Sequence, residues 1–255
     1  VARYCHQKNI IYMCTPWDIK SVDILETFDV QAYKVASADL TNIPLIDKLI
    51  ETKKPLILST GMSSEKEINI TVDFLKKRKA NFALLHCNST YPAPFHDINL
   101  KWINKLKDIH PLIGYSGHER GIAITLAAVG LGAKIVERHF TFDRNMEGPD
   151  HAASLEKNEF KALVSGIREI ESALGNGLER VVSQGEMINR ENLAKSLVAS
   201  VNISQGTIIE PHHLSVLSPG QGLSAQNYEN LIGRKIQRDM QAEEYFYPSD
   251  LQDKR

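Results

Sequence analysis

The chain has 255 residues, with 30 lysines and arginines against 31 aspartates and glutamates, and no basic block interleaved with aromatic residues. This balance argues against a nucleic-acid partner, and no apolar run approaches the roughly 20 residues that span a bilayer. Three scattered cysteines are too few for a disulfide framework, and the first residues lack the apolar stretch of a signal peptide. We therefore expect a globular protein of the reducing cytoplasm, with neither nucleic acid nor membrane as a partner.

Short apolar runs alternate with longer amphipathic segments over the first two thirds of the chain. The runs are apolar almost throughout, as expected of parallel strands buried on both faces, and they cover residues 10–16, 32–37, 55–61, 82–89, 112–118 and 134–140. Residues 63–80 predict an amphipathic helix that begins with a capping box of Ser63, Ser64 and Glu67. A second long helix is predicted at about residues 155–175. This alternation predicts a parallel sheet with crossover helices.

Each predicted strand ends in small polar or ionisable residues. In chain order these are Thr15, Lys34 with Ser37, Ser59 with Thr60, Ser89, Ser116 with His118, and Glu137 with His139. In a (β/α) barrel the carboxyl ends of all strands meet at one catalytic face, whereas a doubly wound sheet gathers polar groups at one switch point. The pattern favours an α/β fold of the TIM-type (β/α)8 class. Because six strands cannot close this barrel, and the chain begins in what reads as the middle of a helix, we expect the first two strands to be missing.

The pattern changes after the second long helix. Residues 176–192 are interpreted as a linker, and the remainder has short predicted strands separated by turn sequences such as "SPGQG". We therefore predict three parts: a partial barrel carrying strands three to eight over residues 1–175, the linker over 176–192, and a small β-rich domain over 193–255.

The strand ends predict a pocket for an anion. Closure of the barrel would bring Lys34, Ser37, Ser59, Ser89 and Ser116 around one mouth. An ammonium and several hydroxyl donors suit a ligand that carries phosphate and carboxylate groups. Any one of these serines alone is more often a turn or cap residue, so the prediction depends on their shared position.

Two histidines predict a metal site beside this pocket. His118 and His139 end neighbouring strands, and two imidazoles with oxygen ligands suit Mn, Fe, Co or Zn, although a lone histidine at a strand end is more often structural. Side chains alternate along a strand, so Glu137 should share the face of His139. Arg138 should then point into the helix layer and form a salt bridge.

Three further residues have structural explanations that we favour at this stage. Asp150 either binds a substrate hydroxyl or caps the helix that follows, and the residue type alone favours capping. Cys87 and its neighbour His86 are interpreted as packing residues, because a catalytic pair needs spatial rather than sequential adjacency.

Six segments resemble the motif series of the sialic acid (N-acetylneuraminate) synthases. In order and spacing they are "YKVASADLTNIPLI", "ILSTGMSS", "LLHCNSTYPAP", "IGYSGHERGIAI", "GAKIVERHFT" and "GPDHAASLE". The β-rich domain resembles the antifreeze-like (SAF) domain of this family. The resemblance implies condensation of phosphoenolpyruvate with N-acetylmannosamine or a related N-acetylated hexose, giving a nonulosonic acid and phosphate. It also implies a homodimer in which the SAF domain of each subunit covers the barrel of its partner.

The resemblance also implies roles for individual residues. His118 and His139 match the metal ligands, with Mn as the leading candidate and Mg, Co, Fe or Zn as alternatives. Together with Lys34 and Glu137 they form the catalytic set. The matched substrate-binding positions are Thr15, Ser37, Ser59, Ser89, Tyr91, Ser116 and Asp150.

The chain departs from the family pattern in two ways that affect these assigned roles. Family members carry further active-site residues on two preceding strands, so we expect this chain alone to be weakly active or inactive. Ser218 stands where several bacterial members have an arginine that reaches the acetamido group of the sugar. The alternatives are another phosphoenolpyruvate-using barrel enzyme, or a truncated, non-catalytic paralogue that binds a sugar or a partner.

Overall fold

A computed structural model describes residues 1–252 and divides the chain into two compact units, Val1–Asn176 and the part from Gly177 onward. In the first unit the five strands are parallel and lie in sequence order. They are β1 (Tyr33–Val35), β2 (Leu56–Ser59), β3 (Phe82–Cys87), β4 (Ile113–Gly117) and β5 (Ile135–Arg138). The sheet curls into a half-barrel, which confirms the α/β class and the parallel sheet.

Seven helices of the described residues belong to this unit. They are α1 (Ala2–Gln7), α2 (Ile19–Glu26), α3 (Ile43–Glu51), α4 (Glu65–Lys77), α5 (Trp102–Ile109), α6 (Ala123–Gly130) and α7 (Lys157–Leu174). The predicted capping box is confirmed, because Ser64 Oγ accepts from the Glu67 N–H and the Glu67 carboxylate accepts from the Ser64 N–H. The long helix expected near residues 155–175 is α7. None of the helices within residues 1–252 has the length and apolar character of a bilayer span.

The first of the six predicted strands is wrong. Within residues 10–16 only Cys14 pairs, through a single bridge to Tyr33, and the Cys14 carbonyl accepts from the Lys34 N–H at 3.3 Å. Ile10 and Ile11 are exposed. A strand needs a ladder of backbone hydrogen bonds as well as an apolar sequence. This segment makes only the single bridge at Cys14, to β1.

Alternation along the strands separates a helix-facing layer from an inner face. Tyr33, Val35, Leu56, Leu58 and Tyr115 are buried in the apolar core that the sheet forms with the helices. The residues that alternate with these along each strand therefore point to the inner face of the half-barrel. Because the carboxyl ends of parallel strands lie at one edge, the last inward side chains of successive strands become neighbours.

The second unit is small and built around its own apolar core. Its elements are α8 (Gln184–Leu193), β6 (Ser196–Ala199), β7 (Leu214–Leu217) and α9 (Tyr228–Leu231). β6 and β7 are antiparallel, and isolated bridges connect the remaining extended segments. Residues 176–192, predicted as a linker, thus include most of a helix, which begins at a capping box of Ser183 and Glu186.

Candidate active site

Lys34, Ser116 and Glu137 meet at the carboxyl edge of the half-barrel. Lys34 Nζ lies 3.5 Å from Glu137 Oε2 and donates to the Val35 carbonyl at 2.7 Å. Ser116, the register partner of Glu137 on β4, donates to Glu137 Oε1 at 3.2 Å. Burial lowers the pKa of Lys34 from its ordinary value, while the charge of Glu137 opposes that shift. The sequence prediction that these side chains share one face agrees with this geometry.

A second cluster surrounds Gly61, just beyond β2. Ser37 Oγ accepts from the Gly61 N–H at 3.1 Å and donates to Cys87 Sγ at 3.5 Å, and Ser89 Oγ lies 3.8 Å from the same sulfur. A Cβ on Gly61 would lie 2.1 Å from Ser89 Oγ and 2.8 Å from Ser37 Oγ. The absence of a side chain at Gly61 therefore gives these two hydroxyls their space.

Ser59 contributes a buried hydroxyl without a hydrogen-bond partner among the described residues. The side chain is 2% exposed, and its Oγ makes no hydrogen bond in that part of the chain. Leaving a buried hydroxyl unpaired costs about 1–3 kcal/mol. Since Ser59 alternates with the helix-facing Leu58, its hydroxyl belongs to the inner face, where a ligand oxygen could accept from it.

The His118 ring is held by a hydrogen bond at each nitrogen. Nδ1 lies 2.6 Å from the Asn88 carbonyl, which can only accept, so Nδ1 carries a proton. Nε2 lies 2.8 Å from the Tyr91 hydroxyl. Burial raises the pKa of Tyr91 to about 12, so the phenol keeps its proton. Burial disfavours the charged form of His118, but the hydrogen bond and charge of Cys87 and the Asn88 carbonyl together raise the pKa of His118. When the ring is neutral, its proton is on Nδ1, and the lone pair of Nε2 accepts from Tyr91.

His139 lies beside His118 and Tyr91. Its ring centroid is 5.2 Å from that of His118 in an edge-to-face arrangement and 5.5 Å from that of Tyr91. Burial, together with the neighbouring His118, lowers the pKa of His139 below its ordinary value, so the ring is neutral at pH 7. His139 Nδ1 is 3.7 Å from Asp150 Oδ2.

The prediction that Asp150 caps the following helix is wrong. Asp150 precedes a single 3-10 turn and its side chain makes no capping hydrogen bond there. Its carboxylate lies instead on the side of His139. The turn is only three residues long, so it presents few unpaired N–H groups for a cap to satisfy.

Two imidazoles could hold a divalent ion whose remaining ligands are oxygen atoms. The Asn88 carbonyl fixes the His118 ring in the way that outer hydrogen bonds orient metal-binding histidines. No group of three or more His, Cys, Asp or Glu side chains with metal-binding geometry occurs within residues 1–252. A site of this kind would therefore take two ligands from the ring nitrogens and leave the others to water or substrate.

The structure does not bring every predicted residue into hydrogen-bonding contact. Thr15 is half-buried and follows Cys14, which pairs with the start of β1, but no hydrogen bond joins its side chain to the other site residues described. Arg138 lies in the helix layer, as predicted, in a fully buried ion pair with Glu119.

Cys87 and Asn88 are site residues that the sequence reasoning missed. Cys87 Sγ lies 3.8 Å from His118 Nδ1, and the register places Cys87 beside Ser116. Burial of Cys87 favours the thiol, but the hydrogen bond and charge of His118, together with hydrogen bonds from Ser37 and Ser89, outweigh it, so the pKa of Cys87 is lowered. Strand alternation is the signal that could have found Cys87, since it occupies the same face as Ser116. His86 is a packing residue as expected, with Nε2 2.7 Å from the Ile98 carbonyl.

A parallel half-barrel with cationic, hydroxyl and imidazole groups at the carboxyl ends of its strands is typical of barrel-type α/β enzymes. The NeuB family model matches residues 1–179, and the SAF domain model matches residues 194–252. The chain belongs to the NeuB family, which confirms the resemblance found in the sequence.

Similar proteins include synthases of several sialic-type acids. The chain is 42% identical over 240 residues to the N,N'-diacetyllegionaminic acid synthase of Campylobacter jejuni, covering 92% of this chain and 72% of that one. It is 38% identical over 237 residues to the human N-acetylneuraminate-9-phosphate synthase, covering 92% and 66%. A crystal structure of the N-acetylneuraminic acid (sialic acid) synthetase from Leptospira borgpetersenii, in complex with citrate, superposes with a TM-score of 0.69 at 40% identity, covering 73% and 66%.

Proposed function

We propose that the protein condenses phosphoenolpyruvate with an N-acetylated hexose, N-acetylmannosamine or a relative, to form a nonulosonic acid. The observation that carries this proposal is the convergence of Lys34, Glu137 and the His118–His139 pair at one edge of the half-barrel. Membership of the NeuB family and similarity to named sialic, legionaminic and related acid synthases support the same reaction class.

The phosphoenolpyruvate pocket is assigned to the ammonium and the hydroxyls. Lys34 supplies positive charge, and the unpartnered Ser59 hydroxyl offers a donor that no protein group uses. The other proposed ligand-binding positions are Thr15, Ser37, Ser89 and Ser116. Fixed donors around a phosphate that departs as an anion stabilise the charge that develops in the transition state.

The proposed reaction forms one C–C bond and breaks the C–O bond to phosphate. C3 of the enolpyruvate attacks the aldehyde carbon of the open-chain sugar, and the aldehyde oxygen takes up a proton to become a hydroxyl. Water adds to the oxocarbenium centre at C2 and loses one proton, which balances the proton that the aldehyde oxygen takes up. The resulting C2 hydroxyl gives its own proton to the departing phosphate as the bond between C2 and the phosphate oxygen breaks, and the ketone remains. We assign the proton from water to Glu137, whose carboxylate is oriented by Lys34 and Ser116.

A divalent ion is part of the proposal. His118 and His139 would hold it, with Mn preferred over Mg, Co, Fe or Zn, and when bound it would supply Lewis-acid polarisation of the aldehyde oxygen. Tyr91 and Asp150, which flank the two rings, are assigned to orient the sugar hydroxyls.

Several features of the whole protein complete the proposal. We propose that the five strands of the half-barrel, with the segment of residues 10–16 that Cys14 joins to β1, correspond to strands three to eight of a (β/α)8 barrel. We also propose that the protein works as a domain-swapped homodimer and that it resides in the cytoplasm. Ser218, at the position where some relatives have an arginine, donates to the Leu193 carbonyl at 3.1 Å and accepts from Lys195 Nζ at 2.8 Å. Recognition of the acetamido group is therefore not assigned to Ser218.

The test is release of inorganic phosphate from phosphoenolpyruvate with Mn²⁺ and a panel of N-acetylated hexoses. The protein is assayed together with any residues that its gene places before Val1. We expect release that depends on one sugar and on Mn²⁺ and is lost in His118→Ala. His96→Ala, at an exposed histidine, is the matched control and should retain full turnover. A folded protein that releases no phosphate with any sugar would overturn the proposal in favour of a non-catalytic binder or another acceptor.

A further inference from the structure

A buried clamp of charged and hydroxyl groups lies directly behind the two imidazoles. Arg138 Nη1 lies 2.9 Å from Glu119 Oε1, and both side chains are 0% exposed. The guanidinium also donates to the Glu119 carbonyl at 2.5 Å and the Gly121 carbonyl at 2.8 Å. Thr125 donates to Glu119 Oε1 at 2.9 Å, and Tyr115 donates to Oε2 at 2.8 Å. One arginine of β5 thus holds the whole loop that follows β4.

The position of this clamp relates it to the site. Glu119 immediately follows His118, and Arg138 immediately precedes His139. The backbone ladder between β4 and β5 ends one residue before each histidine. Beyond it the two chains separate, since the His118 carbonyl accepts from Ala93 and the His139 carbonyl from Leu155. The clamp, rather than the sheet, therefore connects the two segments at the level of the rings.

Stability alone is a poor explanation for a fully buried ion pair. Removing two charges from water costs about as much as their attraction returns, and apolar residues of similar volume often serve the fold equally well. The Arg138 Nε has no hydrogen-bond partner in the described residues, so this pair is not fully compensated. A second role would account for its presence.

We propose that Glu119 and Arg138 are positioning residues that set the separation and orientation of the His118 and His139 rings, and thereby the affinity of the site for a divalent ion. The inference rests on the metal role assigned under the proposed function. Neither residue touches the ion or the substrate, and each acts through the histidine next to it.

The test is titration of the full chain with Co²⁺, followed by the visible absorption of the bound ion. The variant Glu119→Leu/Arg138→Met replaces the pair with apolar side chains of similar size. We expect it to fold, by circular dichroism and thermal melting, and to bind Co²⁺ about 10–100-fold more weakly, the usual cost of losing outer-shell support. Thr125→Val removes only the hydroxyl that bridges the pair, and it should weaken binding in the same direction by less.

A partly exposed ion pair at the opposite end of the strands provides the control. Glu26 and Lys54 are joined at 2.7 Å, and Tyr33, the first residue of β1, also donates to Glu26. Glu26→Leu/Lys54→Met makes the same change of chemistry there and should leave the Co²⁺ affinity unchanged. If the apolar clamp variant does not fold, Thr125→Val decides the question by itself.

A measurement that needs no metal tests the positioning role of Glu119 and Arg138 separately from the metal role of His118 and His139. The ¹⁵N spectrum of the imidazoles should show a single Nδ1–H tautomer for His118 in the wild type, and averaging between tautomers in the clamp variants. If wild-type protein binds no Co²⁺, the metal role fails, and this spectrum still tests positioning. Clamp variants with Co²⁺ affinity within about twofold of wild type and unaltered imidazole spectra would overturn the inference.

Discussion

At the scale of single residues, Gly61 is the position where the smallest change should have the largest effect on ligand binding. An alanine Cβ would meet Ser89 Oγ at 2.1 Å and Ser37 Oγ at 2.8 Å. Both hydroxyls can rotate away, so we expect Gly61→Ala to fold normally but to weaken phosphoenolpyruvate binding about tenfold, the loss of roughly one hydrogen bond to a charged group. Isothermal titration calorimetry with phosphoenolpyruvate measures this.

Gly130→Ala is the control for Gly61→Ala. Gly130 is the last residue of α6, and a Cβ there meets nothing within 4 Å. The control should leave phosphoenolpyruvate affinity unchanged. Equal affinities for both variants and the wild type would mean that Ser37 and Ser89 do not hold the ligand.

Residue types at strand ends predicted which side chains gather at this edge of the sheet, because alternation and parallel pairing are local rules. These rules correctly predicted that Glu137 lies on the inner face and that Arg138 points into the helix layer. They missed Cys87, because a cysteine beside a histidine suits either packing or a site, and only the register with Ser116 decides between them. They also missed Asn88, whose contribution is a backbone carbonyl that no side-chain pattern reveals.

At the scale of elements, the capping box of α4 carries a stability prediction. Ser64 Oγ accepts from the Glu67 N–H at 3.3 Å. We expect Ser64→Ala to cost about 1 kcal/mol, the typical value for an N-cap. In a unit of this size that corresponds to a fall in melting temperature of about 2–4 °C. Thermal unfolding followed at 222 nm measures it.

Ser63→Ala tests whether that loss comes from the cap. Ser63 is adjacent and of the same type, but it lies outside the box, so its melting temperature should match the wild type. A fall of the same size in both variants would refute the capping explanation.

A helix and a strand depend on local sequence to different degrees, for a physical reason. A helix satisfies its hydrogen bonds internally, so periodicity and caps within one segment predict it. Residues 10–16 have a strand-like sequence, but pairing depends on a partner elsewhere, and only Cys14 finds one. The Ser183–Glu186 box before α8 carried the same signal as the Ser64–Glu67 box. The glycines around α8 obscured it.

At the scale of the whole molecule, the two units have separate apolar cores, and this predicts separate unfolding. Leu49 is buried in the core of the first unit, and Phe246 in that of the second. We expect calorimetry to resolve two transitions. Leu49→Ala should lower only the first unit's transition, by about 2–5 kcal/mol of unfolding free energy for a core leucine.

The second unit's transition should depend on Arg238. Its Nε lies 2.7 Å from Oδ1 of the buried Asp250, and its Nη1 lies 2.8 Å from Glu244. The hydrogen bond from Arg238 lowers the pKa of Glu244. A carboxylate with a lowered folded pKa stabilises above its unfolded pKa, about 4.3, and loses that contribution as the pH falls through the folded value. Arg238→Met should therefore lower the unfolding temperature of the second unit at pH 7. It should also make that temperature fall less steeply with pH below about pH 4.5, while the unfolding temperature of the first unit stays unchanged. A shift of both transitions together would show that the units unfold as one.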